Sequence, residues 1–153
     1  MSVSPPAPRT KASLPSKDRF ACWTQEKLRN RDTDQFGHVN NAAIATFMES
    51  GRMELFAGVD MGGANILVVR MLSEFHRELF YPGVVDVGTA VSALGNASFS
   101  VEQGLFDAQG CIATGEATCV FFDTAVGKPV RIPDAVRDQL ARFRPREGAT
   151  GLE

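Results

Sequence analysis

Between Arg31 and Asn41 the chain sets Asp32, Asp34, His38, Asn40 and Asn41 around Gly37, immediately ahead of a long helical pattern. A carboxylate so placed can act as a nucleophile or as a general base toward water. A helix N-terminus offers unpaired N–H groups and a positive dipole end to an oxygen that gains negative charge during a reaction. Gly37 lets backbone pass where a side chain would block it. The pattern is that of a loop joining an acid to an oxyanion donor. A second role is open to Asp34, because Asp in a turn commonly caps loop N–H groups. Spacing alone does not choose between the two. Asp32 shares a face with Asp34 in an extended segment and would raise its pKa as a like charge, unless Asp32 pairs with Arg29 or Arg31. His38 either orients a substrate or bonds to backbone.

Other chemistries fit less well. The Asp32-Thr33-Asp34 string lacks the buried apolar strand that precedes the DxD of phosphoryl- and glycosyl-transfer enzymes, since Lys27 to Arg31 is charged. With only His38 and His76 in the chain and no HxxxH or HExxH, no metal site is expected. Cys22, Cys111 and Cys119 show no CxxC spacing and lie in strand-like apolar runs, so they read as reduced, mostly buried thiols rather than nucleophiles. A net charge of −2 argues against a nucleic-acid partner. No stretch approaches the roughly 18 apolar residues of a membrane span. Residues 1–18, rich in proline and without the apolar centre of a signal peptide, are expected to form a disordered leader in a cytoplasmic protein. One domain over 19–145 and a flexible tail over 146–153 complete the expected organisation.

The elements around the loop follow from periodicity. Phe20 to Arg31 reads as a half-exposed strand, with Lys27, Arg29 and Arg31 on one face that either contacts ligand phosphates or is simply solvated. Ile44, Phe47, Met48, Gly51 and Leu55 form one stripe of a helix from Asn41 to Ala57, with either Asn as N-cap and Gly58 as a left-handed stop. Ile66 to Leu72 is a continuous apolar run of the kind buried on both faces, and Ser73 to Tyr81 alternates as a further strand. Strands at Val84 to Leu94, Phe99 to Phe106 and Cys111 to Phe122 follow, the last two joined by an Asp107-Ala108-Gln109-Gly110 hairpin. A short amphipathic helix begins at Pro133-Asp134. Strands that follow a helix in succession predict an α+β fold, one antiparallel sheet with helix on one face. The other face would stay partly apolar, which favours homo-oligomers.

The segment Asp34-Gln35-Phe36-Gly37-His38-Val39-Asn40-Asn41 ahead of a long helix resembles the hotdog-fold acyl-CoA thioesterases of the 4-hydroxybenzoyl-CoA thioesterase type. The resemblance continues through Asn96 to Val101, Leu105 to Gly110, Ala113 to Ala117 and Val120 to Asp123, covering residues 20–133. It implies an antiparallel sheet wrapped around a central helix and hydrolysis of an acyl-CoA thioester to free acid and coenzyme A. No organic cofactor is implied beyond the coenzyme A of the substrate. By position Asp34 matches the catalytic carboxylate, and the backbone N–H of Asn41 or a neighbour the oxyanion donor. Gly37, His38, Asn40, Asn41, Ser98 and Phe99 fall where substrate is bound, and the acyl thioester is expected at the interface of a homodimer or homotetramer. Some members carry an aromatic residue and a histidine where Asn40, Asn41 and Ala42 stand. Glu49 lies where several hotdog enzymes carry a functional acid, although Arg52 at i+3 offers it a plain ion pair. Two other readings share the fold: a hydratase or dehydratase of acyl thioesters, and a non-catalytic acyl-thioester binding module.

Overall fold

The computed structural model describes residues 14–147. Leader residues 1–13 and tail residues 148–153 lie outside this range. A 3-10 turn at Lys17–Arg19 is the first element of the described residues, and Lys17 pairs with Asp86 at 2.8 Å.

Helix α1 runs Asn41–Ala57, and its predicted stripe is the buried face: Ile44, Phe47, Met48, Gly51 and Leu55, with Arg52 beside them. Among the described residues six strands form one antiparallel sheet: β1 Cys22–Lys27, β2 Asn65–Phe75, β3 Val84–Leu94, β4 Ser98–Asp107, β5 Gly110–Asp123 and the short β6 Lys128–Pro129. Their order is β1-β3-β4-β5-β2, with β6 added to β5. The sheet curls around α1 as a hotdog. Long antiparallel strands bend this way where bulges sharpen the local twist. Register shifts occur between Val68 and Arg70, between Val91 and Ala93, and between Leu105 and Phe106.

The helix comes close to the sheet because its midpoint has no side chain. A Cβ on Gly51 would stand 2.7 Å from Val87 and 2.8 Å from both Gln103 and Thr89. Gln103 fills the contact with polar partners, donating to the Met48 carbonyl at 2.7 Å and to Thr89 Oγ1 at 3.0 Å. Helix α2, Asp134–Ala141, closes the far end with Val136 and Leu140 buried, as its amphipathic pattern predicts.

Three expectations need correction. The apolar run Ile66 to Leu72 and the start of the further strand expected over Ser73 to Tyr81 are one strand, β2, which ends at Phe75 and lies at an edge of the sheet rather than inside it; Val69 is 62% and Met71 59% exposed. The first strand stops at Lys27, because Asn30–Asp32 winds into a 3-10 turn held by Arg29 and Asp32, which breaks up the supposed basic face. Gly58 ends α1 at φ −82 and not in the left-handed region; a Cβ there would meet the Phe143 ring at 3.2 Å, so close approach is what the position requires.

Candidate active site

The loop ahead of α1 is a closed turn built by Asp34. Its N–H donates to the His38 carbonyl at 2.8 Å, and its carbonyl receives the Gly37 N–H at 3.2 Å. Gly37 sits at φ +84, a left-handed conformation in which side chains are strained. The Asp34 carboxylate accepts two backbone N–H groups at one oxygen, Oδ1: Phe36 at 2.8 Å and His38 at 3.1 Å. Its second oxygen makes no hydrogen bond among the described residues. The carboxylate is thus aimed by the loop and still open on one side.

Asp32 pairs with Arg29, one of the two partners its spacing offered. It is only 6% exposed and is clamped by Arg29, through the amide at 2.7 Å and the guanidinium at 3.1 and 3.2 Å. Burial alone would raise the Asp32 carboxyl; the Arg29 contacts outweigh it and hold the pKa below the ordinary value.

The two asparagines divide their roles. Asn40 is the N-cap, its Oδ1 accepting the Ala42 N–H at 2.8 Å, and its carbonyl takes the N–H groups of Ala43 and Ile44. Only its Oδ1 is taken up by this task, and Asn40 lines the cavity next to Asn41. With those amides engaged, the Asn41 N–H at the start of the helix has no acceptor among the described residues. Asn41 and Asp34 line the same cavity.

That cavity has a volume of about 490 Å³ and is lined by Asp34, His38, Asn40, Asn41 and Ile44 on one side and Phe75 through Leu79 on the other. The two walls are joined by the Val39 N–H donating to the Leu79 carbonyl at 2.7 Å and by a bridge between His38 and Phe80. His38 packs edge-on against Phe80, and its Nε2 lies 3.5 Å from Glu78 Oε1. His76, Arg77 and Glu78 were not singled out from the sequence as site residues. Their signal was a run of three ionisable side chains where the strand pattern breaks. Arg77 is tied to Asp107 at 2.5 and 3.1 Å, which fixes that wall to the β4–β5 hairpin.

Ser98 and Phe99 are not brought to this cavity within the chain. Phe99 is 1% exposed and packs edge-on against Phe56 in the core, so its ring cannot meet a coenzyme A arm. Nor do Glu49 and Arg52 form the ion pair their spacing suggests, because Arg52 turns inward to Gln103. Burial pushes the Cys22 and Cys119 thiols up to about 11, which leaves both inert near neutrality. Among the described residues no group of three His, Cys, Asp or Glu is arranged to hold a metal ion, and no helix is long and apolar enough to cross a membrane.

Residues 28–140 match the family described as the thioesterase-like superfamily. Among curated proteins, acyl-acyl carrier protein thioesterase ATL2, chloroplastic, of Arabidopsis thaliana is 27% identical over 127 residues, spanning 77% of this chain and 67% of that one. Among solved structures, a predicted thioesterase from Bacillus stearothermophilus superposes with a TM-score of 0.76 at 26% identity, covering 82% of this chain and 98% of the other. A thioesterase from Thermus thermophilus, solved in complex with coenzyme A and Zn, gives 0.73 at 28% identity, covering 79% and 98%.

Proposed function

Because the chain belongs to the thioesterase-like superfamily, we propose that it hydrolyses acyl-CoA thioesters in the manner of the 4-hydroxybenzoyl-CoA thioesterase type, with Asp34 as the reacting carboxylate. The observation that carries this reading is the pairing of a half-engaged carboxylate with an unengaged helix amide on one cavity wall. Asp34 Oδ1 is held by the Phe36 and His38 amides, leaving Oδ2 to attack the thioester carbonyl or to draw a proton from water. The Asn41 N–H, at the positive end of α1, receives the carbonyl oxygen as it becomes an oxyanion. One such donor supplies about 3 kcal/mol in comparable transition states. Gly37 shapes the turn, while the Asn41 carboxamide and the His38 ring contact the acyl thioester. The coenzyme A complex of the Thermus thermophilus relative supports coenzyme A as the thiol.

The working unit in this proposal is a homodimer formed along β2, in the cytoplasm, where free thiols such as these persist. Paired antiparallel with itself about Leu72, β2 sets Arg70 opposite Glu74 of a second copy, twice over, and places Val69 of that copy against Phe75 at the cavity rim. The apolar edge supports the idea, since monomers rarely leave such strands bare.

The test is thiol release from a panel of aliphatic and aromatic acyl-CoAs by wild type and Asp34→Asn, with folding checked by circular dichroism. The expected result is turnover by wild type and a loss of at least ~100-fold in the variant, equivalent to ~2.7 kcal/mol of transition-state stabilisation. Equal rates would remove Asp34 from the reaction. No release from any substrate would favour the binding-module reading.

A further inference from the structure

In the reaction proposed above, Asp34 serves the carbonyl carbon or the water that attacks it, and the Asn41 N–H serves the oxygen. The sulfur, which takes the electron pair when the C–S bond breaks, is met by neither. The ionisable side chains that line the cavity are Asp34, His38, His76, Arg77 and Glu78. Arg77 is committed to Asp107 and to the Gly110 carbonyl at 3.3 Å. His76 is committed to the Thr114 hydroxyl, Nε2 to Oγ1 at 2.8 Å, and that hydroxyl lies 3.3 Å from Glu74. His38 is the remaining carrier of an exchangeable proton on these walls.

Three kinds of contact set its position. Backbone bonds to Asp34 close the turn around it, a bridge to Phe80 ties it to the facing wall, and its ring stands edge-on to Phe80 with centroids 5.0 Å apart. Nε2 lies 3.5 Å from Glu78 Oε1, close enough for an ion pair and long for a hydrogen bond, as catalytic contacts often are before substrate tightens them. Nδ1 makes no hydrogen bond among the described residues. The partner of one ring nitrogen decides the state of the other, so a carboxylate at Nε2 assigns the exchangeable proton to Nδ1. We propose that His38 hands this proton to the departing sulfur and that Glu78 is the positioning residue that holds the ring for it. This assignment rests on the thioesterase reading. The C–S bond breaks with its electron pair going to sulfur, and the Nδ1 proton joins that sulfur to give the free thiol. The ring regains a proton from the hydrolytic water, by way of Asp34 when Asp34 is the base, or directly when water opens an acyl anhydride on Asp34. The sum is thioester and water giving acid and thiol.

The leaving thiol tests this. A thiophenyl thioester releases a more acidic thiol than coenzyme A does, so its sulfur departs without needing a proton. Acid release is measured for the coenzyme A and thiophenyl thioesters of whichever acid wild type turns over fastest. His38→Gln is expected to slow the coenzyme A thioester at least ~100-fold and the thiophenyl thioester less than ~10-fold. Asp34→Asn, acting at the carbonyl, is expected to slow both alike. Glu78 is 67% exposed, so Glu78→Ala leaves the fold alone and keeps the test available if His38→Gln does not fold. It is expected to slow the coenzyme A thioester roughly 10-fold and the thiophenyl thioester hardly at all, and Glu78→Gln, which keeps an acceptor for Nε2, is expected to recover most of that loss. Equal losses on the two thioesters, or an unchanged coenzyme A rate in Glu78→Ala, overturn the proposal and leave Asp34 in place. No turnover of any thioester by wild type overturns it together with the thioesterase reading.

Discussion

Asp34 and His38 hold each other at both ends of a five-residue turn: the Asp34 amide donates to the His38 carbonyl at 2.8 Å, and the His38 amide donates to the Asp34 carboxylate at 3.1 Å. The reciprocal bond makes Asp34 a structural residue whatever else it does. Asparagine retains the carbonyl acceptor and alanine does not. Asp34→Asn is therefore expected to unfold within about 0.5 kcal/mol of wild type, while Asp34→Ala loses about 1 kcal/mol. Urea midpoints of the two variants separate the capping role from the chemical one, and a thiol-release defect common to both with stability lost only in alanine is the expected pattern.

Gly51→Ala tests how tightly α1 is seated. A methyl group would meet Val87, Gln103 and Thr89 within 2.8 Å. Overpacking of this kind destabilises by about 1–3 kcal/mol, because both backbone and side chains must shift. Thermal unfolding of the variant at neutral pH gives the number; an unchanged Tm would mean the helix has slack the geometry does not show.

Acid should weaken the fold through two ion-paired carboxylates, Asp32, which is buried, and Asp107, which is half-buried. Burial alone would raise Asp107, but the Arg77 contacts and the amides of Gln109 and Gly110 hold its pKa below the ordinary value, as Arg29 does for Asp32. Groups depressed on folding stabilise the native state fully above their unfolded pKa, near 4, and lose that contribution as pH falls through the folded value. Stability is expected to be flat from neutrality down to about pH 4 on this account, then to decline. In a chemical-denaturation series against pH, Asp107→Asn should start lower at neutral pH and show a shallower acid limb.

The homodimer proposed along β2, with its register about Leu72, predicts the behaviour of charge variants. Arg70→Glu sets two glutamates opposite each other and is expected to shift gel filtration toward monomer; the double variant Arg70→Glu with Glu74→Arg is expected to restore the dimer. Restoration is the informative arm, because Arg70 also lies 3.7 Å from Glu116 within the chain, and loss of that contact alone would not be rescued.

The α1 boundaries, its buried stripe and the β4–β5 hairpin could be read from the sequence, since each is set by local periodicity or turn chemistry. The clustering of Asp34, His38 and Asn41 on one wall was equally legible, because they are neighbours in the chain. What the sequence hid depends on tertiary contact. An apolar run such as Ile66 to Leu72 reads alike at the centre of a sheet and at its rim; only strand order tells them apart. Arg77 and Glu78 join the site through a backbone bond between Val39 and Leu79, some forty residues apart. Arg52 followed the stripe of Met48 and Leu55 rather than its charge, because Gln103 waits opposite. As candidate caps Asn40 and Asn41 were interchangeable in the sequence, and one residue of helix phase separated their tasks.

The absent side chain at Gly51 makes α1 a rod pinned near its middle. Its amide end, about 15 Å away, moves with any tilt at that pin. In the proposed mechanism, sequence change in β3 or β4 beneath the pin is therefore transmitted to the angle at which the first amide meets the reacting carbonyl, and drift in reaction rate can arise from residues that never touch a substrate.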